Sequence, residues 1–162
     1  MLIFSQARGS DLKVRAGEWD TRQNNAVILH PRFNNGTLHN DVALLKLDAF
    51  CKSCNFPYCQ SKLRKLDSEI TSFWTRCQSK LRKTRLGNHF ILDKSFNCAG
   101  GISNEDTCQG DGGGPLSCIV SGDERFYLIG ITSWGIGCGT DNVPGVYTNV
   151  RFFSNWISSH LE

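Results

Sequence analysis

The chain has 162 residues, enough for one domain with a sizeable core or for two small lobes. Charged residues make up 20% and the net charge is +3, which argues against a nucleic-acid or anionic-membrane binder, because such proteins concentrate positive charge. No stretch is long and apolar enough to cross a membrane as a helix, and eight cysteines in a Gly-rich chain point to disulfides and an oxidising compartment.

In chain order, the opening "MLIFSQARGS" has an apolar run of Leu2 to Phe4, too short for the core of a signal peptide. The cysteines indicate export while this start shows no export signal, which suggests an incomplete chain. "AVIL" (26–29) reads as a strand. It is followed by a turn cluster, in which Asn35-Gly36-Thr37 fits a glycosylation sequon. "VALLKL" (42–47) reads as a second strand.

Residues 48–88 break the pattern. "CKSCNFPYC" (51–59) contains a C-x-x-C that resembles half of a zinc site, but no second half follows, so no metal is expected. "CQSKLRK" occurs at 59–65 and again at 77–83, a local duplication. Its polarity favours helix or irregular structure over strand. The basic runs Lys62–Lys65 and Lys80–Arg85 read as solvated faces, the alternative being a basic partner site. Beyond them, "LSCIV" (116–120), "FYLIGITSW" (126–134) and "GVYTNV" (145–150) are strand-like. In "VRFFSNWISSHLE", Phe152, Phe153, Trp156 and Ile157 recur at helical spacing and predict a short amphipathic helix docked on a barrel. The class is all-β, a barrel or sandwich, with a C-terminal α-helix.

One loop stands apart. "DTCQGDGGGPLSC" (106–118) places Gly112, Gly113 and Gly114 in a row between an aspartate and a proline, a loop built to present backbone. Together with "GITSWGIGCG" (130–139) and "VPGVYTNV" (143–150), it resembles the C-terminal half of trypsin-like serine proteases. "LKVRAGEWDT" (12–21), "ILHPRFNNG" (28–36) and "HNDVALLKL" (39–47) resemble the first half. "RAGEWDT" (15–21) and "TRLGNHFILDKSFNCAGG" (84–101) are similar, more narrowly, to insect clip-domain serine protease homologues of the masquerade and prophenoloxidase-activating-factor group.

The resemblance implies a trypsin-like double β-barrel in reduced form. Residues 1–50 would be a partial first barrel, 51–76 an irregular insert, and 77–162 most of the second barrel with its terminal helix. In active members a serine in Gly-Asp-Ser-Gly-Gly-Pro attacks the peptide carbonyl, a histidine takes its proton, and an aspartate orients the histidine. Here Gly112 stands at the nucleophile position, within an oxyanion-type loop of Gly110, Asp111 and Gly112. Asp41 matches the orienting aspartate. The family's Ala-Ala-His-Cys motif would precede "LKVRAGEWDT", and none of His30, His39, His89 and His160 lies in such a motif. Asp111 pairs in activated members with a new N-terminal amine, and no Ile-Val start is visible.

Asp106 matches the acidic floor of a pocket for Lys or Arg side chains, with Ser133, Gly135 and Gly145 as its walls, either vestigial or binding without cutting. The resemblance also implies disulfides Cys77–Cys98 and Cys108–Cys138, and leaves the pairing of Cys118 with Cys51, Cys54 or Cys59 open. The function implied is that of a secreted, catalytically inactive protease homologue, with no cofactor. It would bind a cascade protease or prophenoloxidase in an immune, melanisation-type pathway. The alternatives are a trypsin-like endopeptidase cleaving after Lys or Arg, and a truncated, non-functional product.

Overall fold

The computed structural model describes residues 2–4, 26–46, 73–103, 106–119 and 126–160. The zinc-like half-site, Cys51, Cys54, Cys59, the first "CQSKLRK" copy and "LKVRAGEWDT" lie outside these residues. Two antiparallel sheets carry the fold. The first has three strands in the order β1 (Leu2–Phe4), β3 (Ala43–Lys46), β2 (Ala26–Leu29). The second has four, ordered β4 (Phe96–Ala99), β7 (Gly145–Asn149), β6 (Phe126–Trp134), β5 (Pro115–Ile119). The strands expected at 26–29, 42–47, 116–120, 126–134 and 145–150 are all present, shifted by a residue or so at their ends.

The signals missed are as informative as those found. β1 and β4 are too short to show alternation. β4 exists because Cys98 is tied to Cys77 and because its four residues pair in register with β7, from Phe96↔Thr148 to Ala99↔Gly145. The second "CQSKLRK" copy folds into α1 (Phe73–Arg82), the helical alternative expected of it. α1 begins four residues before position 77, where the sequence places the start of the second lobe. Cys77 and Leu81, one turn apart, face Leu92, Phe96 and Val146 in one core cluster. Gln78 Oε1 accepts the Leu92 amide at 2.9 Å, and Arg82 Nε donates to the Phe90 carbonyl at 2.8 Å, so one flank of the helix, a turn apart, holds the loop that follows.

β6 is irregular twice. Its pairing with β5 slips between Leu116 and Ser117, and its pairing with β7 slips between Thr132 and Trp134, so Ser133 has no opposite number on β7. Gly130 sits in a crowded spot: a Cβ there would stand 3.0 Å from Tyr147 Cβ and 3.1 Å from Leu116 Cδ2, so those side chains would have to shift. The tail is a 3-10 turn (Val150–Phe153) running into α2 (Ser154–Ser158). Asn149 caps the turn through its side chain, which accepts the Phe152 amide. Phe153 is buried in a second core cluster with Val42, just before β3, and Ile131 of the second sheet, and Trp156 and Ile157 pack against it. The terminal helix therefore closes the junction between the two sheets.

Candidate functional site

The junction is centred on Asp41, whose side chain is fully buried at 0% exposure just before β3. Asp41 follows Asn40, which adopts a left-handed φ of 57° and is fixed by its side chain to the Arg32 carbonyl at 2.9 Å and by its amide to Ser95 Oγ at 3.3 Å. Two bonds then cross between sheets. Ser133 Oγ donates to Asp41 Oδ2 at 2.6 Å, and Thr148 Oγ1 donates to the Asp41 carbonyl at 2.7 Å. A buried carboxylate needs such donors. The bulge at Ser133 leaves this residue outside the β6–β7 ladder, with its hydroxyl bonded to Asp41.

The four histidines stand in other surroundings. His30 is buried, with its ring edge-on to Phe153 and Trp156 at centroid distances of 5.0 and 4.8 Å. Burial first, and the Arg32 charge second, hold its imidazole below the ordinary value. His39, two residues before Asp41, turns to Asp93, at 3.9 Å from its carboxylate. His160 Nδ1 lies 2.8 Å from the Trp156 carbonyl, and His89 is exposed.

The glycine loop is anchored to β6 through its backbone. Gly113 donates to the Thr132 carbonyl at 2.9 Å, and Thr132 donates back to the Gly114 carbonyl at 2.8 Å. Gly114 also donates to the Asp111 carbonyl at 2.9 Å, and a Cβ on Gly114 would lie 2.9 Å from that same oxygen. Gly110 and Gly113 have φ of 95° and 83°, left-handed conformations that favour glycine; Gly112 does not. The Asp111 carboxylate bends back within its own loop, where Oδ2 accepts the Cys108 amide at 2.8 Å.

Next to this loop, Asp106 Oδ1 accepts the Thr107 amide at 2.8 Å, and the Gly139 amide lies 3.4 Å from Oδ2. A Cβ on Gly145 would come within 2.7 Å of Asp106 Oδ1, so β7 passes the carboxylate at backbone distance. Cys108–Cys138 joins the Asp106 loop to the 136–139 turn, and Cys77–Cys98 joins α1 to β4. The structure thus brings Asp106 and Gly145 together, places Gly135 exposed at the end of β6, and commits Ser133 to Asp41. Cys118 is buried in β5. The tie from Ser133 and the partners Thr148 and Ser95 were not legible in the sequence, where each is an ordinary strand or turn hydroxyl. Among the described residues no group of three or more His, Cys, Asp or Glu side chains is disposed to hold a metal ion.

Comparison with known proteins places this geometry. The protein family described as Trypsin matches residues 4–157. Phenoloxidase-activating factor 2 of Galleria mellonella is 36% identical over 96% of the chain and 65% of that protein's length. Inactive CLIP domain-containing serine protease A3 of Aedes aegypti is 35% identical over 93% of the chain and 40% of its own length. Protein masquerade of Drosophila melanogaster is 34% identical over 95% of the chain and 18% of its length. The chain therefore spans less than two thirds of each of these relatives.

Proposed function

Because the chain belongs to the trypsin family, we propose that it is a non-catalytic serine protease homologue that acts by binding a protein of an extracellular proteolytic cascade. Gly112 carries this reading. It occupies the place of the nucleophilic serine, and glycine has no oxygen on which an acyl-enzyme can form. Asp41, at the place of the orienting aspartate, accepts a bond from Ser133, while His30, His39 and His160 make contacts elsewhere and His89 is exposed. In active serine proteases, losing one triad member leaves roughly 10³- to 10⁴-fold catalysis over water. With Gly112 at the serine position, any such remnant would depend on a well-formed cleft.

The names of the relatives support the same role: two of those compared above are called an inactive protease and an activating factor. On this reading the partner is an active cascade protease or a phenoloxidase precursor. The protein works outside the cell, where the two disulfides among the described residues persist. Asp106 beside the bare Gly145 favours a partner that inserts a Lys or Arg side chain and is not cut.

That same acidic floor is what the enzyme alternative, cleavage after Lys or Arg, would use. The deciding experiment pairs surface-immobilised full-length chain against an active cascade protease and a phenoloxidase precursor with a hydrolysis assay on an arginine ester. Saturable binding without turnover is expected. Steady turnover that tracks the protein through purification would overturn the reading, and so would absence of binding to either partner.

A further inference from the structure

We infer that Asn35 is a modification site that carries an N-linked glycan, standing outward from the turn between β2 and β3. The inference rests on the extracellular reading above. Asn35-Gly36-Thr37 supplies the acceptor pattern, with no proline in the middle position. The structure supplies the presentation. Residues 35–37 form a turn and all three are exposed.

The residue that closes this turn is Asn34. Its Oδ1 accepts the amides of Gly36 at 2.9 Å and Thr37 at 3.1 Å, and its own amide donates to the His39 carbonyl at 3.0 Å. The turn is thus shaped by the neighbour of the acceptor. Among the described residues, no hydrogen bond engages the Asn35 carboxamide. The base of the turn is fixed by Asn40, through the Arg32 carbonyl and Ser95 Oγ. Among the described residues a glycan on Asn35 therefore displaces no hydrogen bond, and it rises from an anchored stalk.

The step is a substitution. Asn35 Nδ2 attacks C1 of the sugar of an oligosaccharyl polyprenyl diphosphate. The new C–N bond forms as the C–O bond to the diphosphate breaks. The diphosphate leaves with the electron pair, and the amide nitrogen gives up a proton. A competing reaction at the same side chain is deamidation, in which the Gly36 nitrogen attacks Asn35 Cγ and ammonia leaves. Here the Gly36 N–H is directed at Asn34 Oδ1.

The test is translocation of the full chain, behind a cleavable export signal, into microsomes and into secreting insect cells. Trypsin then releases the peptide Phe33–Lys46. A discrete glycan mass is expected on this peptide. Peptide-N-glycosidase in heavy-oxygen water should remove it and leave labelled Asp at Asn35. Asn35→Gln and Thr37→Ala should abolish the mass shift, and Thr37→Ser should preserve it. Asn35→Gln should not move the melting temperature of the aglycosyl protein, since among the described residues no hydrogen bond reaches the Asn35 side chain, whereas Thr37→Ala also gives up the long bond from the His39 amide to Thr37 Oγ1, at 3.4 Å. A protease-protected, translocated chain with a bare Phe33–Lys46 peptide would overturn the site, and so would a peptide already deamidated before enzyme treatment. Either result would leave the binding role standing. A glycosylated chain that binds no partner would sink only that role.

Discussion

Gly112 and its neighbours make different demands on the backbone. Gly110 and Gly113 use φ near +90°, where a side chain is strained, whereas Gly112 does not. Gly112→Ser should therefore fold, with a stability change within about 0.5 kcal/mol, as for exposed substitutions away from special features. On the proposed non-catalytic reading it should also leave arginine-ester hydrolysis at background, because a serine is activated only by an adjacent base. Thermal denaturation and a single ester assay check both parts. Asp41 is the opposite case: its side chain is buried and its partners hold it. Ser133→Ala, which leaves a buried acceptor short of a donor, should cost about 1–3 kcal/mol in chemical denaturation. Thr148→Val should cost about 1 kcal/mol by removing one bond to the Asp41 carbonyl. The motif residues were legible because they lie in contiguous strings, such as Gly110 to Pro115. The tie from Ser133 to Asp41 spans 92 positions and leaves no local trace.

At the scale of elements, legibility followed period and length. The nine-residue β6 and the five-residue β5 and β7 show their apolar runs, and the tail shows its helical spacing. β4 does not, because its existence depends on α1 and a disulfide. α1 itself has a polar sequence with two buried anchors, and the more buried is Leu81 at 0% exposure. Leu81→Ala should cost about 2–5 kcal/mol and broaden the unfolding transition. β5 is an edge strand among the described residues, and Ile119 pairs there with Phe126, which is 58% exposed. With Tyr127 and Leu128 also exposed, this hairpin offers an apolar, pairable edge. Ile119→Lys should reduce concentration-dependent self-association in light scattering without lowering the melting temperature.

Across the whole molecule, stability should decline toward acid in two stages. His30 has its proton affinity lowered by folding, so the unfolded chain takes up that proton first. Its contribution is complete above the ordinary imidazole value of 6.5 and is lost as pH falls below it. Burial alone would raise Asp93, but hydrogen bonds from Ser95 and the charges of His39 and Lys94 outweigh it and lower it below 3.8. Its contribution is present above 3.8 and vanishes as pH falls through the lower, folded value. Melting temperature against pH should show both declines, and His30→Gln should flatten the first. Reducing Cys77–Cys98 and Cys108–Cys138, which close loops of 21 and 30 positions, should remove about 3 kcal/mol each.

The bulge at Ser133 also sets the odd–even count of β6. Ile131 lies opposite Thr148, and Trp134 lies opposite Val146. Thr148 and Val146 are two apart and share one side of the sheet, so Ile131 and Trp134 share it as well, although they are three apart. The surplus residue inverts parity in mid-strand. That inversion brings Trp134 onto the side where Phe90 and Phe96 meet it edge-on, at 6.2 and 5.9 Å. Deleting Ser133, as opposed to trimming its hydroxyl, would restore a regular alternation with Trp134 two positions after Ile131 and still opposite Val146, so Trp134 would keep its side. In the count Ser133 is thus the surplus residue, and what it adds to the fold is its hydroxyl on Asp41.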